Sequence, residues 1–343
     1  MNERSPSHDG FSMPAEWQPH TGCLISWPCA PETWHGHIRQ AEVEYQSVIE
    51  AVNRFEPVTV LSDPSTVVDV REKSGDGAPV IVVDLDDSWI RDNGPIFVTS
   101  AAGDVALVDF LFNAWGSKGP HSKDERVPES LSRELRVRRY VANMVLEGGS
   151  ISVDGEGTLM TTEQCLLNPN RNPSMDGEQI EGGLKDFLGV SKVLWLGRGQ
   201  AEDVTDGHVD GVACFSGPKT VIIAHTDDTS DPNHDMLAEN RARLETSTDA
   251  KGRSIEIIDL VQPRPREHLG HDITPGYINH YVANGGIVAP EFGIPEDPVA
   301  AETLRSCYPD REVVTVSVPC IEVGGGGIHC ITQQIPEGRF IRG

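Results

Sequence analysis

The chain has 343 residues, and its 28 basic residues against 53 acidic residues give a formal net charge of −25. Nucleic acids and anionic membrane surfaces require a basic face on a protein partner, so this composition argues against both. It is compatible with a cationic small molecule, because a negative field concentrates cations near the protein.

Apolar residues at helical spacing predict helices over residues 37–55, 180–188 and 298–307. The polar stretch 117–139 predicts a surface loop that runs into a short helix, more typical of a lid or rim than of a domain boundary. Between these segments, short apolar runs are broken by glycine, aspartate or asparagine, which indicates strands joined by tight turns.

Polar turns beside apolar strands recur along the chain, at Asp92, Glu147, His208 and Cys330. Their spacing indicates strand–turn–helix units of about 50–70 residues, arranged radially as in a propeller. We therefore expect one α/β domain over residues 1–343. A Rossmann-type fold is the alternative, but a GxGxxG motif between a strand and a helix is absent from the sequence.

The beginning of the chain and its cysteines favour a cytoplasmic protein. The opening segment MNERSPSHDG lacks the apolar region of a signal peptide, and apolar runs such as 80–83 are too short to span a membrane. The seven cysteines are an odd number without CxxC pairs, which is typical of reduced thiols.

The first polar turn is WIRDNGP, at residues 89–95. Arg91 can pair with a carboxylate, and Trp89 can form an apolar wall for a flat cation, although Asp-Asn-Gly-Pro is also typical of a plain hairpin turn. The second turn, LEGGS, places Glu147 between an apolar strand and glycines. A strand-end charge that faces water is the alternative interpretation of Glu147.

The third turn is GHVDG, which contains His208 and Asp210. Residues two apart on an extended segment project from the same face, so this spacing predicts an imidazole and a carboxylate side by side. A pair that only stabilises the end of a strand is equally compatible with this motif alone.

The fourth turn begins with the glycine run 324–327 and leads to His329 and Cys330. Glycines in series predict a loop with unusual dihedrals or a close approach, and backbone amides nearby would favour a thiolate at Cys330. A buried structural cysteine is the alternative. His329 is a poor candidate for the partner base, because neighbours on a strand point to opposite faces.

These turns together suit chemistry on a guanidinium group, which is planar and presents its N–H groups in forks matched to carboxylates. Asp92, Glu147 and Asp210 can accept those hydrogen bonds while a thiolate at Cys330 attacks the central carbon. Loss of ammonia needs a proton, and hydrolysis of the resulting intermediate needs a base. His208 suits both steps, because its pKa can lie near neutrality.

The sequence resembles the agmatine deiminase family, relatives of bacterial peptidylarginine deiminase, nearly from end to end. The segments that carry the resemblance are MPAEW at 13–17, WIRDNGPIFV at 89–98, FNAWGSK at 112–118, LEGGSISVDGEGT at 146–158, LLNPNRNP at 166–173, GHVDG at 207–211, YINHYVANGGIVAP at 277–290 and GGGGIHCITQQ at 324–334. The last of these is the most specific.

This resemblance implies a five-bladed, pseudo-symmetric α/β-propeller of ββαβ units (pentein-type), without a metal or an organic cofactor. By motif position it implies that Cys330 is the nucleophile, His208 the acid and base, Asp92 and Asp210 the guanidinium clamps, and Glu147 a further acidic site residue. Additional substrate contacts are expected from Trp89, Arg91, Gly326 and Gly327. The implied reaction converts agmatine to N-carbamoylputrescine and ammonia, a step of polyamine biosynthesis towards putrescine, and a homo-oligomer is compatible with it.

Three departures from the family pattern concern the far end of the substrate. Gly211 and Gly327 stand where asparagine is common, and the segment before Tyr277 is shortened to REHLGHDITPG. Another guanidino-alkyl compound or an arginine derivative is therefore an alternative substrate.

A manganese ureohydrolase, an amidinotransferase and a binding protein are the alternative interpretations. The segment AHTDD at 224–228 is similar to a ligand motif of manganese ureohydrolases, but the further histidine and aspartate motifs of a two-metal centre are absent from the sequence. An amidinotransferase of the same fold would hand the amidino group to an amine. A binding protein with an acidic pocket would have no use for the thiol.

Overall fold

Five ββαβ units follow one another in residues 5–73 and 78–342, which the computed structural model describes. In each unit two strands pair antiparallel, and a helix then connects the second strand to a third strand parallel to it. Parallel neighbours need such a crossover helix, so each unit is a small three-stranded sheet with its helix on one side.

Units 1 to 4 are numbered in the order of their helices along the chain. The unit built from both ends of the chain is unit 5. Unit 1 contains strands Ile96–Ser100, Asp104–Leu111 and Arg139–Val145 and helix Val127–Leu135. Unit 2 contains strands Ser152–Val153, Thr158–Thr162 and Lys192–Leu196 and helix Gly177–Leu188. Unit 3 contains strands Ala213–Gly217, Thr220–His225 and Glu256–Val261 and helix His234–Glu245. Unit 4 contains strands Tyr281–Ala283, Gly286–Glu291 and Glu312–Ser317 and helix Asp297–Cys307.

Unit 5 is closed by the two ends of the chain. Its elements are strands Thr332–Pro336, His20–Ser26 and Val58–Ser62 and helix Ile38–Val52. Thr332–Pro336 pairs antiparallel with His20–Ser26, and this pairing completes the ring of units. The predicted α/β-propeller of ββαβ units is thus confirmed. The expectation of one domain over 1–343 stays a prediction, which this pairing supports.

Shorter elements extend or connect the units. Val80–Val82 adds a strand to unit 5, while Phe11–Ser12 and Arg339–Phe340 add strands to unit 1. A separate hairpin, Arg266–His268 with His271–Ile273, follows unit 3. The short helices are Val67–Lys73, Ile90–Asn93, Ala114–Ser117, Glu163–Leu166 and Pro319–Val323, and the 3-10 turns are Ser7–Asp9, Asp124–Arg126, Gly148–Ser150 and Val209–Gly211.

The three predicted helices are confirmed within a few residues. Helix Ile38–Val52 buries one face that includes Tyr45, Val48 and Ile49, as its helical spacing predicts. Helix Gly177–Leu188 begins earlier than predicted, because Asp176 and Gln179 form a capping box at its start. The sequence gives a weak signal for helix His234–Glu245, which is mostly polar and buries few apolar side chains.

The short helix predicted within residues 117–139 is present as Val127–Leu135, but it belongs to the core of unit 1 and not to a lid or rim. Val127 and Leu131 lie in the apolar core beside Leu107, so Val127–Leu135 is the crossover helix of unit 1. The preceding turn is fixed as well, because the Asp124 carboxylate accepts hydrogen bonds from the backbone N–H groups of Asp86 and Asp87.

None of the helices in the described part of the chain has the length and apolar content to cross a membrane.

Candidate active site

The candidate site is formed by five turns, and each precedes the first strand of one unit. The side chains that these turns contribute, in the order of units 1 to 5, are Asp92, Glu147, His208 with Asp210, Asn279 and Cys330. Because the same end of each unit faces the same region, residues far apart in the sequence come into contact there. The four polar turns that the sequence indicated are thus brought together with a fifth.

Cys330 lies in the turn before strand Thr332–Pro336 rather than on the strand itself. Its Sγ lies 3.2 Å from Nδ2 of Asn279 and 3.6 Å from Oδ2 of Asp210. Burial raises the pKa of the Cys330 thiol well above its usual value, and the negative charges of Asp210 and Asp92 raise it further. In the substrate-free protein the nucleophile is therefore held as a neutral thiol, and a cation between the carboxylates would favour its ionisation.

This pKa predicts the pH dependence of thiol alkylation in the substrate-free protein. The rate of Cys330 modification by iodoacetamide is expected to rise about tenfold per pH unit between pH 7 and 9 without reaching a plateau, because only the thiolate reacts. Peptide mass spectrometry at Cys330, with N-acetylcysteine as the reference thiol, measures this profile. A plateau already reached at pH 7 would instead show a preformed thiolate.

His208 lies between carboxylates on both sides of its ring. Nδ1 is 3.8 Å from Oδ2 of Asp92 and 4.0 Å from Oδ1 of Asp210, while Nε2 is 3.9 Å from Oε2 of Glu147. Burial opposes a charge on the imidazole, but Asp92, Cys165 and Glu147 outweigh it and raise the pKa of His208 well above its usual value. The ring can therefore hold a proton at neutral pH and deliver it to a leaving group.

The local conformation of this turn differs from the extended segment that was predicted. Residues Val209–Gly211 form a 3-10 turn, and the N–H of His208 donates to the side chains of Asp203 and Thr205. The predicted proximity of His208 and Asp210 is nevertheless found, because this compact turn brings both side chains to the same site.

Asp92 is held in place by two donors. The N–H of Gly149 and Nε1 of Trp115 each donate to its carboxylate at 2.9 Å. A Cβ atom on Gly149 would lie 2.7 Å from His208 and 2.9 Å from both Asp92 and Asp210, so only glycine permits this close approach. The hairpin turn considered for this segment is not formed, since Ile90–Asn93 is a single turn of helix.

Glu147 is paired with an arginine through one oxygen, while its Oε2 has no hydrogen-bond partner among the described residues, so its expected role as an acceptor for the substrate stays a prediction. It is fully buried, and its Oε1 accepts a hydrogen bond of 2.7 Å from Nε of Arg171, which is equally buried. Burial opposes ionisation, but His208 and Arg171 outweigh it and lower the pKa of Glu147. Its position on the Nε2 side of His208 fits a residue that holds the imidazole ring in place.

Removing Arg171 is expected to destabilise the fold. In Arg171→Ala the buried charge of Glu147 would lose its partner, which should lower the free energy of unfolding by about 3–5 kcal/mol. Urea denaturation followed by tryptophan fluorescence measures this change. The control is Arg305→Ala, which removes an exposed pair with Glu302 and should cost less than about 1 kcal/mol. Equal effects of the two substitutions would contradict the structural role of the Arg171–Glu147 pair.

The sequence indicated that His329 is a poor candidate for the base of its neighbour Cys330, and its contacts agree with this prediction. Its Nδ1 lies 2.9 Å from Oδ2 of Asp210, and its Nε2 lies 2.8 Å from Oε1 of Glu16. Burial of Asp210 opposes its ionisation, but the hydrogen bond and charge of His329 outweigh it and lower the pKa of Asp210. Asp210 is therefore kept as a carboxylate beside the thiol.

Trp89 and Arg91 lie behind the Cys330 turn and do not line the cavity around the thiol. This position differs from the one expected of residues that contact the substrate. The backbone N–H of Arg91 donates to the Cys330 carbonyl at 3.1 Å, and its buried guanidinium donates to the His329 carbonyl. Trp89 packs against Trp34 and donates its indole N–H to Asp87. Both residues support the turn that carries the nucleophile.

Asn279 was not singled out from the sequence as a site residue. Its Nδ2 donates to the Cys330 thiol, and its Oδ1 accepts from the backbone N–H of His329 at 2.8 Å. An amide that donates to sulfur stabilises the thiolate, and this contact lowers the pKa of Cys330 against the effect of burial. The signal that could have found Asn279 is its position, because each of the other four units carries a site residue in the turn before its first strand.

An open cavity of about 440 Å³ adjoins the thiol. The predicted contacts Gly326 and Gly327 line it, together with His208, Asp210, Asn279 and Cys330. A second cavity of about 1630 Å³ lies farther out and shares part of its lining with the first. A small elongated molecule could enter through the outer cavity and place one end beside Cys330.

Potential metal ligands lie around His208 and in segment 224–228. Glu147, Cys165 and His208 bring three ligand atoms within 4.8 Å of one another, but Glu147 is already paired with Arg171. In the segment similar to a ureohydrolase motif, His225 ends strand Thr220–His225 and pairs with the exposed Asp227 in the loop that follows. Segment 224–228 is thus the end of a strand followed by an acidic loop.

Comparisons with known proteins agree over nearly the whole chain. The model of the Porphyromonas-type peptidyl-arginine deiminase family matches residues 12–336. A Listeria monocytogenes protein is 44% identical over 360 residues, which cover 98% of this chain and 99% of the relative. The agmatine deiminase of Pseudomonas aeruginosa is 42% identical over 360 residues and 98% of both chains. The structure of Enterococcus faecalis agmatine deiminase is similar at a TM-score of 0.94, with 35% identity over 98% of this chain and 99% of that one.

Proposed function

The chain belongs to the Porphyromonas-type peptidyl-arginine deiminase family, and from this premise we propose that it hydrolyses agmatine to N-carbamoylputrescine and ammonia. The observation that carries the proposal is the approach of the Cys330 thiol to the Asp210 carboxylate, 3.6 Å apart beside an imidazole with acidic neighbours. A thiol among negative charges is poorly placed for an anionic substrate and well placed for a guanidinium.

Binding of the substrate would activate the nucleophile. The guanidinium donates its N–H groups to Asp92 and Asp210, which neutralises the charges that raise the pKa of Cys330. The thiol then ionises and releases its proton to solvent, and Asn279 stabilises the thiolate through its amide N–H. The carboxylates also fix the central carbon in front of the sulfur, so that attack requires little reorganisation.

In the first half-reaction the thiolate forms a C–S bond to the guanidinium carbon. The resulting tetrahedral adduct breaks one C–N bond, and protonated His208 gives its proton to the departing nitrogen, which leaves as ammonia. The product is a thiouronium cation linked to Cys330. His208 is now neutral and can accept a proton, while Glu147 keeps the ring in position from the side of Nε2.

In the second half-reaction water attacks the thiouronium carbon, and neutral His208 accepts its proton. Collapse of this second adduct breaks the C–S bond, returns the thiolate and releases the ureido product, while the hydroxyl proton of the adduct passes to solvent and converts the released ammonia to ammonium. Overall, a guanidinium and one water give a neutral ureido group and an ammonium ion, so atoms and charge balance. All groups that this scheme requires come from the chain itself.

Further parts of the proposal concern the setting of the enzyme. We expect a cytoplasmic location, a possible homo-oligomer, and a step of polyamine biosynthesis that supplies putrescine. An arginine derivative or another guanidino-alkyl compound is the alternative substrate, and an amidinotransferase is the alternative activity on the same intermediate.

The test is product identity with protein treated with EDTA. Agmatine is incubated with and without an added primary amine, and ammonia, N-carbamoylputrescine, urea and amidinated amine are quantified. Equal amounts of ammonia and N-carbamoylputrescine are expected, unaffected by the amine. Urea would identify the ureohydrolase reaction, and transfer to the amine would identify the amidinotransferase. Without turnover of agmatine, the same assay applied to other guanidino compounds tests the alternative substrates.

A further inference from the structure

Glu322 carries a carboxylate that the proposed mechanism does not use. It lies in helix Pro319–Val323, directly before the glycine run that leads to Cys330. Within residues 5–73 and 78–342, its carboxylate has no hydrogen bond or ion pair. Burial raises the pKa of Glu322 well above its usual value, and the charges of Asp210 and Glu44 add to this effect. The side chain is half-buried, and a carboxylate partly removed from water without a cation is unfavourable, so a bound cation would relieve that cost.

Glu322 stands where the two cavities meet. It lines the inner cavity, which contains the Cys330 thiol, and it also lines the larger outer cavity. Between Glu322 and the thiol the cavity wall is formed by Gly325, Gly326 and Gly327. A Cβ on Gly326 would lie 2.7 Å from Trp89 and 3.1 Å from the Cys330 Sγ, so glycine is required for this wall to pack against the thiol.

The outer cavity has an excess of acidic groups. Its acidic lining residues are Glu202, Asp203, Glu267, Asp272 and Glu322, whereas Arg266 is its one arginine or lysine among the described residues. Several negative charges around an open cleft attract cations and disfavour carboxylates. A molecule with a positive charge at each end would therefore meet a favourable field along its whole length.

We propose that Glu322 binds the distal ammonium group of the substrate and thereby selects guanidino-alkyl amines over guanidino acids and over guanidines with an uncharged tail. This inference deepens the proposed function and rests on it. The guanidinium occupies the site beside Cys330, the alkyl chain follows Gly325–Gly327, and the ammonium donates to the Glu322 carboxylate. The α-carboxylate of arginine would be brought near the same negative charge and be disfavoured.

The test compares three substrates in wild-type protein and Glu322→Gln. Agmatine carries the distal ammonium, n-butylguanidine lacks it, and arginine adds a carboxylate. The substitution is expected to lower kcat/KM for agmatine by about 10- to 100-fold, the value of one hydrogen bond to a charged group. For n-butylguanidine the change should stay within about twofold, because that substrate has no group for Glu322 to bind.

Turnover of n-butylguanidine in the same preparation shows that the variant is folded. Glu302→Gln, on the exposed face of helix Asp297–Cys307, is the matched control and should leave all rates unchanged. An equal loss for agmatine and n-butylguanidine, or no loss for either, would overturn the role of Glu322. Equal efficiency of the two substrates in the wild-type protein would overturn this inference alone. No ammonia from any of the three would overturn the proposed function together with it.

Discussion

Replacing Cys330 by alanine is expected to lower kcat for agmatine by about 10⁴-fold or more, because covalent catalysis by a thiol has no substitute among the remaining side chains. The substrate should still bind, since Asp92 and Asp210 remain in place. The measurement combines ammonia release with the binding of agmatine by calorimetry. Loss of turnover with retained binding is the result that assigns Cys330 to the chemical step.

The matched control for this variant is another cysteine. Cys307, at the end of helix Asp297–Cys307, is partly exposed and lies outside the lining of the inner cavity. Cys307→Ala should retain at least half of the wild-type rate. If Cys330→Ala kept a comparable rate, the covalent mechanism would be wrong, and a direct attack of water on the guanidinium would have to replace it.

Replacing His208 by alanine is expected to lower kcat/KM by about 10²- to 10⁴-fold, the usual contribution of a positioned acid and base. His208 acts twice in the proposed sequence, first as an acid for the departing ammonia and then as a base for water. If hydrolysis suffers more than ammonia release, the thiouronium intermediate accumulates. Intact-protein mass spectrometry after mixing with agmatine would then show an added mass equal to agmatine less ammonia.

His225→Ala is the control for this second variant, and it also addresses the segment similar to a ureohydrolase motif. His225 is partly exposed, pairs with Asp227 and lies outside the lining of the inner cavity, so its removal should leave the rate within about twofold of wild type. A large loss in His225→Ala, or full activity in His208→Ala, would contradict the assignment of the acid and base to His208.

The parts of the fold that follow from local spacing could be predicted from the sequence. Tyr45, Val48 and Ile49 repeat at helical intervals, and the helix that they predict is present. Helix His234–Glu245 could not be predicted in this way, because its buried face contains few apolar residues besides Met236 and Leu237. Its position is set by the sheet that it crosses rather than by its own periodicity.

The site shows the same division between local and long-range information. The turns that contain Asp92, His208 and Cys330 carry unusual polar residues next to glycines, so the sequence indicated them. The role of Glu147 depends on Arg171, which belongs to a separate turn and reaches it only after folding. Asn279 was missed because it stands among aromatic and apolar residues that indicate a strand, and only the contact with the sulfur reveals its function.

One turn from each unit reaches the site, and this arrangement has an evolutionary consequence. The nucleophile, the acid and base, and Asp92 are encoded in different stretches of sequence, and a complete sheet and helix separate each of these stretches from the next one. A substitution in one turn can therefore alter one task while the frameworks that hold the others are inherited unchanged. A ring of this kind is suited to divergence, since a new substrate or a new acceptor requires change in a single unit rather than a new fold.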